Sequence, residues 1–77
     1  MLYKVYSIYD RVTGLYGEPF IAVNEEMAKR RFNYLMDNAP MVNADCQLYC
    51  LGDFDSVNGT LGGKVDFICG YEVKSNG

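Results

Sequence analysis

The chain has 77 residues, of which 49% are hydrophobic and 14% aromatic, with a formal net charge of −3 and neither histidine nor tryptophan. This length corresponds to one domain with a small core, which such domains often supplement with a disulfide, a metal or a partner chain. The acidic balance argues against a protein that coats DNA non-specifically, and the lack of histidine removes the commonest general base and metal ligand.

The amino-terminal segment LYKVYSIY (residues 2–9) is rich in β-branched and aromatic residues and predicts a strand. The next segment, DRVTGLYGEP (10–19), contains two glycines and a proline and predicts a turn or a flexible connection. FIAV (20–23) is then a short second strand or an extended entry to a helix.

A helix is predicted over residues 25–38. Asn24 is a favourable N-cap, and the carboxylates of Glu25 and Glu26 suit the positive end of the helix dipole. Pro40 ends the helix, because the residue before a proline avoids the α region. One face of the helix is apolar at helical spacing and consists of Ala28, Phe32, Leu35, Met36 and Ala39.

CQLYCL (46–51) and KVDFICGYEV (64–73) predict an antiparallel hairpin, since nothing helical fits between them. With Asn58 and Gly59 at the centre, Leu48 lies opposite Cys69, although a slip of one residue would exchange the faces. The face assigned to the core then contains Cys46, Leu48, Cys50, Phe67, Cys69 and Tyr71. The opposite, strongly apolar face carries Tyr49, Leu51, Asp66 and Ile68, together with Tyr6 and Ile8 of the first strand.

The sequence therefore predicts an α+β domain over residues 1–74, followed by a frayed tail at 75–77. The sheet has three to four strands in β(β)αββ order, and the single helix packs on one face. A connection as long as a helix permits the first strand to lie parallel to a later one.

The segment LGDFDSVNGT (51–60) allows three interpretations: a metal site, a catalytic carboxylate pair or a turn. Counted from Asp53, only the first two ligand positions of a calcium-binding EF-hand loop are occupied by suitable residues. A catalytic pair would need a pocket that shifts both carboxyl pKa values. We therefore interpret the segment as a hairpin connection in which Phe54 points inward and Asp53 and Asp55 face solvent.

The three cysteines, Cys46, Cys50 and Cys69, are an odd number and lack a CxxC spacing, which argues against a disulfide scaffold or a zinc site. Cys46 and Cys50 lie about 13 Å apart along a strand and cannot bridge each other, whereas either could meet Cys69 across the hairpin. No signal peptide or membrane span is recognisable. We expect reduced, buried thiols in a cytosolic protein.

The cations Lys29, Arg30 and Arg31 form a basic patch on the helix, which Arg11 of the preceding turn could extend. Two of them follow glutamates by four residues, so a solvated, ion-paired face explains the patch without a function. The alternative is a site for phosphate or for an acidic partner.

Exposed tyrosines on the sheet would add base-stacking surfaces to such a patch, since bases stack on aromatic rings while cations follow the phosphate backbone. The candidates are Tyr9 and Tyr49. Core packing or a dimer interface, where tyrosine is enriched, also accounts for the tyrosines.

Three segments, YSIYDRV (6–12), EPFIAVNEEMAKRRF (18–32) and DCQLYCLGDFDSVNG (45–59), occur in this order over most of the chain. Together they resemble the small nonstructural protein of gokushoviruses, which are tailless single-stranded DNA phages of the microvirus family. The cysteines are not part of the shared pattern. The residues that carry the resemblance are Tyr6, Ser7, Tyr9, Asp10, Pro19, Phe20, Ala22, Asn24, Ala28, Arg30, Phe32, Leu48, Tyr49, Gly52, Phe54, Asp55 and Gly59.

The resemblance implies a role in the infected cell during genome replication, at the switch toward single-stranded DNA synthesis or packaging, and it brings no catalytic residues. We therefore expect a non-enzymatic phage accessory protein in the host cytoplasm, without metal or cofactor and without membrane contact. Its partners would be single-stranded DNA or a host or phage replication protein. Direct DNA binding would use Arg11, Lys29, Arg30 and Arg31 for phosphates and Tyr9 and Tyr49 for bases.

The alternative hypothesis is a protein-interaction module that inhibits or adapts a host replication or defence protein without touching nucleic acid, which the acidic balance favours. In either case we expect a homodimer formed through the sheet. The residues predicted for its interface are Tyr6, Ile8, Tyr49, Leu51 and Ile68.

Overall fold

The computed structural model describes residues 2–71 and has an α+β architecture with one α-helix on a six-stranded antiparallel sheet. Helix α1 spans Glu25–Asp37, and a short 3-10 turn at Asn43–Asp45 leads into the fourth strand. The strands are β1 (Leu2–Asp10), β2 (Leu15–Tyr16), β3 (Phe20–Ala22), β4 (Cys46–Asp55), β5 (Thr60–Gly62) and β6 (Asp66–Gly70). The predicted fold class and the single helix are confirmed, whereas the number and order of strands differ in part.

The long strands β1 and β4 form the antiparallel centre of the sheet. The short strands β2 and β3 both pair with β1 on one side, and β5 and β6 both pair with β4 on the other. The parallel arrangement that the sequence permits for the first strand occurs between strands that are not neighbours: β1 runs in the same direction as β5 and β6, and β4 lies between them. The helix does make a crossover between parallel strands, but these are β3 and β4, and β1 lies between them.

The strand boundaries differ from the predicted ones mainly where strands are short. Strand β2 lies within the segment predicted as a turn. The sequence did not indicate this strand, because two residues carry no periodic pattern. Strand β4 continues to Asp55 and β5 follows after a four-residue turn, where a loop was expected. The end of the predicted last strand, 72–73, and the predicted tail at 75–77 lie outside the described residues.

The helix begins at the predicted residue and ends at Asp37, one residue before the predicted end. The side chain of Asn24 accepts a hydrogen bond of 2.9 Å from the backbone N–H of Met27, which caps the first turn. Ala28, Phe32 and Met36 recur at four-residue steps and are buried against the sheet. No helix within residues 2–71 has the length and apolar character needed to cross a membrane.

The core lies between α1 and one face of the central strands. Its buried side chains are Tyr6, Cys46 and Leu48 from the sheet and Ala28, Phe32 and Met36 from the helix. Partly buried side chains surround this cluster: Ile8, Phe20, Ala22, Cys50, Ile68, Cys69 and Tyr71. The predicted pairing of Leu48 with Cys69 is confirmed.

Two β-bulges change which side chains share a face. Leu51 is an extra residue in β4 between the pairs Tyr6–Cys50 and Val5–Gly52. Ile68 is likewise extra in β6, between Cys69 and Phe67. The assignment of Phe67 to the helix side is therefore wrong, since the bulge turns it to the opposite face.

The placement of Tyr6, Ile8 and Ile68 on the face away from the helix is also wrong. Tyr6 is only 2% exposed and belongs to the core, while Ile8 and Ile68 pack against that core. Burial raises the pKa of the Tyr6 hydroxyl above its ordinary value. Tyr6 and Ile8 point to α1 because β1 presents its even-numbered residues to the helix, whereas Ile68 reaches the core from the bulge in β6.

The aspartate segment forms a turn between β4 and β5, which confirms its interpretation as a hairpin connection. The backbone N–H of Gly59 donates to the carbonyl of Asp55 over 2.7 Å, and Gly59 has a positive φ of 70°. The Asp55 carboxylate accepts from the N–H of Val57 and the side chain of Asn58, each at 2.9 Å. These bonds hold the pKa of Asp55 below its ordinary value.

Gly52 allows β4 to approach the Gly62–Gly63 segment closely. Its φ is 138°, and a Cβ atom built on it would collide with the carbonyl oxygen of Gly62. Gly63 also has a positive φ, 99°, and its own Cβ would lie 3.2 Å from the Cα of Gly52. The chain can therefore pass from β5 to β6 alongside β4 only because both positions are glycine.

We expect Gly52→Ala to destabilise the protein by about 2 kcal/mol or more, because the methyl group meets backbone and the conformation is strained for an L-residue. Urea unfolding followed by circular dichroism measures this free energy. The matched control is Gly70→Ala in β6, where open space surrounds the site, and there we expect a change within about 0.5 kcal/mol. Equal effects of both substitutions would contradict the proposed role of Gly52.

The turn at Asp55 should make stability depend on pH in the acid range. Because the folded-state pKa of Asp55 lies below its ordinary value of 3.8, the contribution of the turn is complete above that value and declines as pH falls through the folded pKa. Asp55→Asn keeps one acceptor oxygen but does not titrate, so we expect a flatter dependence of the urea midpoint on pH. Glu18→Gln removes an exposed carboxylate elsewhere and should leave the wild-type slope, whereas an unchanged slope in Asp55→Asn would contradict the prediction.

Candidate functional site: the open face of the sheet

The open face is the face of the sheet that α1 does not cover. Side chains alternate along a strand, so the pairing of the strands determines which residues belong to this face. They are Tyr3, Val5, Ser7, Tyr9, Tyr16, Ile21, Gln47, Tyr49, Phe54, Leu61 and Phe67.

No charged side chain occupies a paired strand position on the open face, within the part of the chain that the structure describes. Asp53, Asp55 and Asp66 all lie on the helix side, opposite Lys4, Leu2 and Cys50 respectively. The two bulges produce this segregation. Without the extra residue Leu51, Asp53 would move to the open face, and without Ile68, Asp66 would do so.

On the helix side, one of these carboxylates is neutralised by a cross-strand ion pair. The Nζ atom of Lys4 lies 2.7 Å from Oδ1 of Asp53, with both side chains partly exposed. The hydrogen bond to this carboxylate raises the pKa of Lys4. The pair ties β1 to β4 on the side away from the open face.

The aromatic cluster consists of Tyr9, Tyr16, Tyr49 and Phe67 and occupies one end of the open face. Tyr49 lies at its centre, with ring centroids 5.7 Å from Tyr9, 5.5 Å from Tyr16 and 5.6 Å from Phe67, all edge to face. Tyr9 and Tyr16 are 4.7 Å apart. Such pairs stabilise one another, yet Tyr16 and Phe67 remain 47% and 55% exposed.

An apolar groove of about 210 Å³ occupies the other end of the open face. Phe54, predicted to point inward, lies here, so that prediction is wrong: the Leu51 bulge places it beside Leu61 of β5. Leu61 and Ile21 are 73% and 53% exposed. The groove is lined by Val5, Pro19, Phe20, Ile21, Phe54 and Leu61.

Ser7 separates the aromatic cluster from the apolar groove. It is completely buried, and its hydroxyl donates a hydrogen bond of 2.8 Å to the carbonyl of Gly17. The N–H of Gly17 in turn donates to the carbonyl of Ile8 over 2.8 Å. The middle of the open face is therefore closed by backbone whose polar groups are satisfied within the molecule.

The predicted phosphate-binding cations do not lie on the open face with the predicted stacking residues. Lys29, Arg30 and Arg31 belong to α1, on the opposite side of the sheet from Tyr9 and Tyr49. Two of these cations have partners in the helix and its surroundings: Lys29 pairs with Glu25 at 3.3 Å, and the Arg31 guanidinium lies 4.7 Å from the ring centroid of Phe20.

Arg11 lies at the end of β1, and its contacts are structural. Its guanidinium donates to the carbonyl of Ala44 over 3.0 Å and lies 3.8 Å from the carboxylate of Asp45. These contacts tie the turn after β1 to the 3-10 turn before β4. The structure thus brings together Tyr9 and Tyr49 but separates them from the helix cations.

The residues predicted for a dimer interface are divided between the open face and the core. Tyr49 lies on the open face, Leu51 forms the bulge beside it, and Tyr6, Ile8 and Ile68 lie in or against the core. Sequence reasoning missed Tyr16, Phe54, Leu61 and Phe67. The signal that could have found them is the alternation in LYKVYSIY, in which the odd-numbered residues are uncharged. A strand with one uncharged face predicts that the neighbouring strands are apolar on the same face.

Within the part of the chain that the structure describes, the cysteines and acidic residues form no alternative site. No disulfide joins the three cysteines, and burial raises the pKa of the Cys46 thiol. Within residues 2–71, no group of three or more cysteine, aspartate or glutamate side chains could hold a metal ion.

Comparison with known proteins gives one match. The family model described as Phage ORF5 protein matches residues 3–72. No curated protein and no solved structure matches the chain significantly. Because the family model spans β1 to the end of the described chain, it covers the whole fold and the open face. The chain therefore belongs to the Phage ORF5 protein family and is a small accessory protein of a bacteriophage.

Proposed function

We propose that this phage protein is a non-enzymatic accessory protein that works by protein–protein contact through the open face of its sheet. The observation that carries the proposal is the open face, whose paired strand positions carry no charge, with an aromatic cluster at one end and an apolar groove at the other. The resemblance to the gokushovirus nonstructural protein supports a role in the host cytoplasm during replication or packaging of a single-stranded DNA genome.

The exposure of the open face supports protein contact. Monomeric soluble proteins rarely expose large continuous apolar patches, and those that do commonly use them for binding. Interface cores are depleted of charge and enriched in tyrosine and phenylalanine. The open face has this composition, from Tyr16 and Phe67 at one end to Leu61 at the other.

Direct binding of single-stranded DNA is the second candidate function, and the rings of Tyr9, Tyr16 and Tyr49 are the observation in its favour. Aromatic rings on a sheet can stack with successive bases. Affinity for DNA, however, comes largely from cations that neutralise phosphates. Here Lys29 and Arg30 lie on the far side of the sheet, so the strand would have to pass around its edge to reach them.

Capture experiments in infected cells test the protein-contact proposal. We expect tagged wild-type protein to retain bound protein after nuclease treatment, whether host proteins, phage proteins or untagged copies of this chain. Tyr16→Glu puts a charge into the aromatic cluster and should reduce capture at least about tenfold, as for an interface hot spot. The matched control is Tyr34→Glu, which alters a tyrosine on α1 that is also exposed, 68% against 47% for Tyr16, and should leave capture unchanged.

Equal capture by the two variants, or loss of capture on nuclease treatment, would contradict protein contact through the open face. Fluorescence titration with labelled single-stranded oligonucleotides at low salt tests the second candidate, since electrostatic affinity is greatest there. Binding that Tyr49→Ala weakens and added salt abolishes would support direct DNA contact. No binding at low salt would remove it.

A further inference from the structure

We infer that the partner of the open face is a second copy of this chain, packed face to face so that the aromatic cluster of each copy enters the apolar groove of the other. This inference rests on the proposed function, in which the open face is a protein contact, and it names the partner. The area, the charge distribution and the two-ended shape of the face support it independently of one another.

The area of the open face suits a dimer. The molecule measures 47 × 26 × 17 Å, so it is only two layers thick along its shortest axis. Its broad side offers a footprint on the order of 1,000 Å², and a standard stable interface buries about 800 Å² on each partner. A second copy would cover the open face with its own sheet and helix. The dimer would then be a helix–sheet–sheet–helix sandwich with the two sheets about 10 Å apart.

The charge distribution favours the same chain as partner. Each copy carries a net charge of −3, so two copies repel each other unless their charges stay away from the contact. In an interface with two-fold symmetry the same surface patch meets itself, so each contact between two side chains is repeated with the two copies exchanged. A face whose paired strand positions carry no charge can meet itself without like-charge contacts between those positions, and the bulges at Leu51 and Ile68 keep Asp53 and Asp66 off that face.

The two ends of the face complement each other. A two-fold axis in the plane of the interface, crossing the strands near Ser7, reverses the strand direction of the second copy. The aromatic cluster around Tyr49 then lies over the groove beside Leu61 of the other copy. The two ends are about 13 Å apart, from Tyr9 to Val5 along β1. The contact between the aromatic cluster of one copy and the apolar groove of the other therefore forms twice in the dimer.

The groove and the centre of the face are suited to such a contact. A volume of about 210 Å³ is smaller than typical pockets for small-molecule ligands, which span roughly 300–1,000 Å³, so side chains are the fitting occupants. At the centre, the hydroxyl of Ser7 already donates to Gly17. A second copy would therefore bury no unpaired hydroxyl on the axis.

The oligomeric state of the purified protein tests the inference. By sedimentation equilibrium, we expect wild-type protein to have twice the 8.7 kDa mass of the chain. Tyr16→Glu in the cluster and Leu61→Glu in the groove should each weaken the dimer at least about tenfold. Tyr34→Glu on α1 should leave the dimer intact, and circular dichroism should show that all three variants fold.

The reciprocal geometry has its own measurement. In a sample that mixes isotope-labelled and unlabelled copies, filtered nuclear Overhauser effects should connect the ring of Phe67 in one copy with the methyl groups of Leu61 in the other, because β5 and β6 lie on the same side of β4. Contacts between like ends of the two copies would overturn the cluster-to-groove packing.

Wild-type protein that stays monomeric at high concentration would overturn the inference, and the capture experiment then separates the two proposals. If Tyr16→Glu still abolishes capture of a different protein, the open face binds a partner other than itself, and only the second copy is refuted. If the protein is monomeric and Tyr16→Glu leaves capture unchanged, the proposed function fails as well.

Discussion

The antiparallel pairing of β1 with β4 is the constraint on which the rest of the structure depends. The two strands are in register from Leu2 opposite Asp55 to Asp10 opposite Cys46, and every other strand pairs with one of them. Because side chains alternate, this single register decides which residues meet α1 and which remain uncovered. It places Tyr6 and Leu48 under the helix and leaves Tyr9 and Tyr49 on the open face.

Two bulges refine that division, and each determines on which face of the sheet an aspartate side chain lies. Each inserts one residue into an otherwise regular ladder, so that all side chains beyond it exchange faces. The bulge at Leu51 keeps Asp53 on the helix side, where it pairs with Lys4. The bulge at Ile68 does the same for Asp66 and turns Phe67 toward the tyrosines. The result is a sheet with charged side chains on one face, while the paired positions of the other face carry no charge and form the aromatic cluster and the apolar groove at its two ends.

Most residues that carry the resemblance to the gokushovirus protein form and maintain this fold. Asn24 caps the helix, Ser7 bonds the backbone at Gly17, and Asp55 organises the turn between β4 and β5. Gly52 permits the close approach of the strands. The same pattern also includes Tyr9, Tyr49 and Phe54, which lie on the open face, so the family signature contains part of the proposed binding surface as well as its scaffold.

The sequence by itself determined the local elements: the first strand, the helix with its cap and the turn that contains Asn58 and Gly59. These depend on interactions within a few residues or on a simple hairpin, and residue type specifies them directly. The tertiary structure alone decided the location of the crossover, the bulges and the composition of the open face. Strand β2 is too short to leave a pattern, and a bulge inverts the alternation on which any sequence-based assignment of Phe54, Phe67 and Ile68 depends.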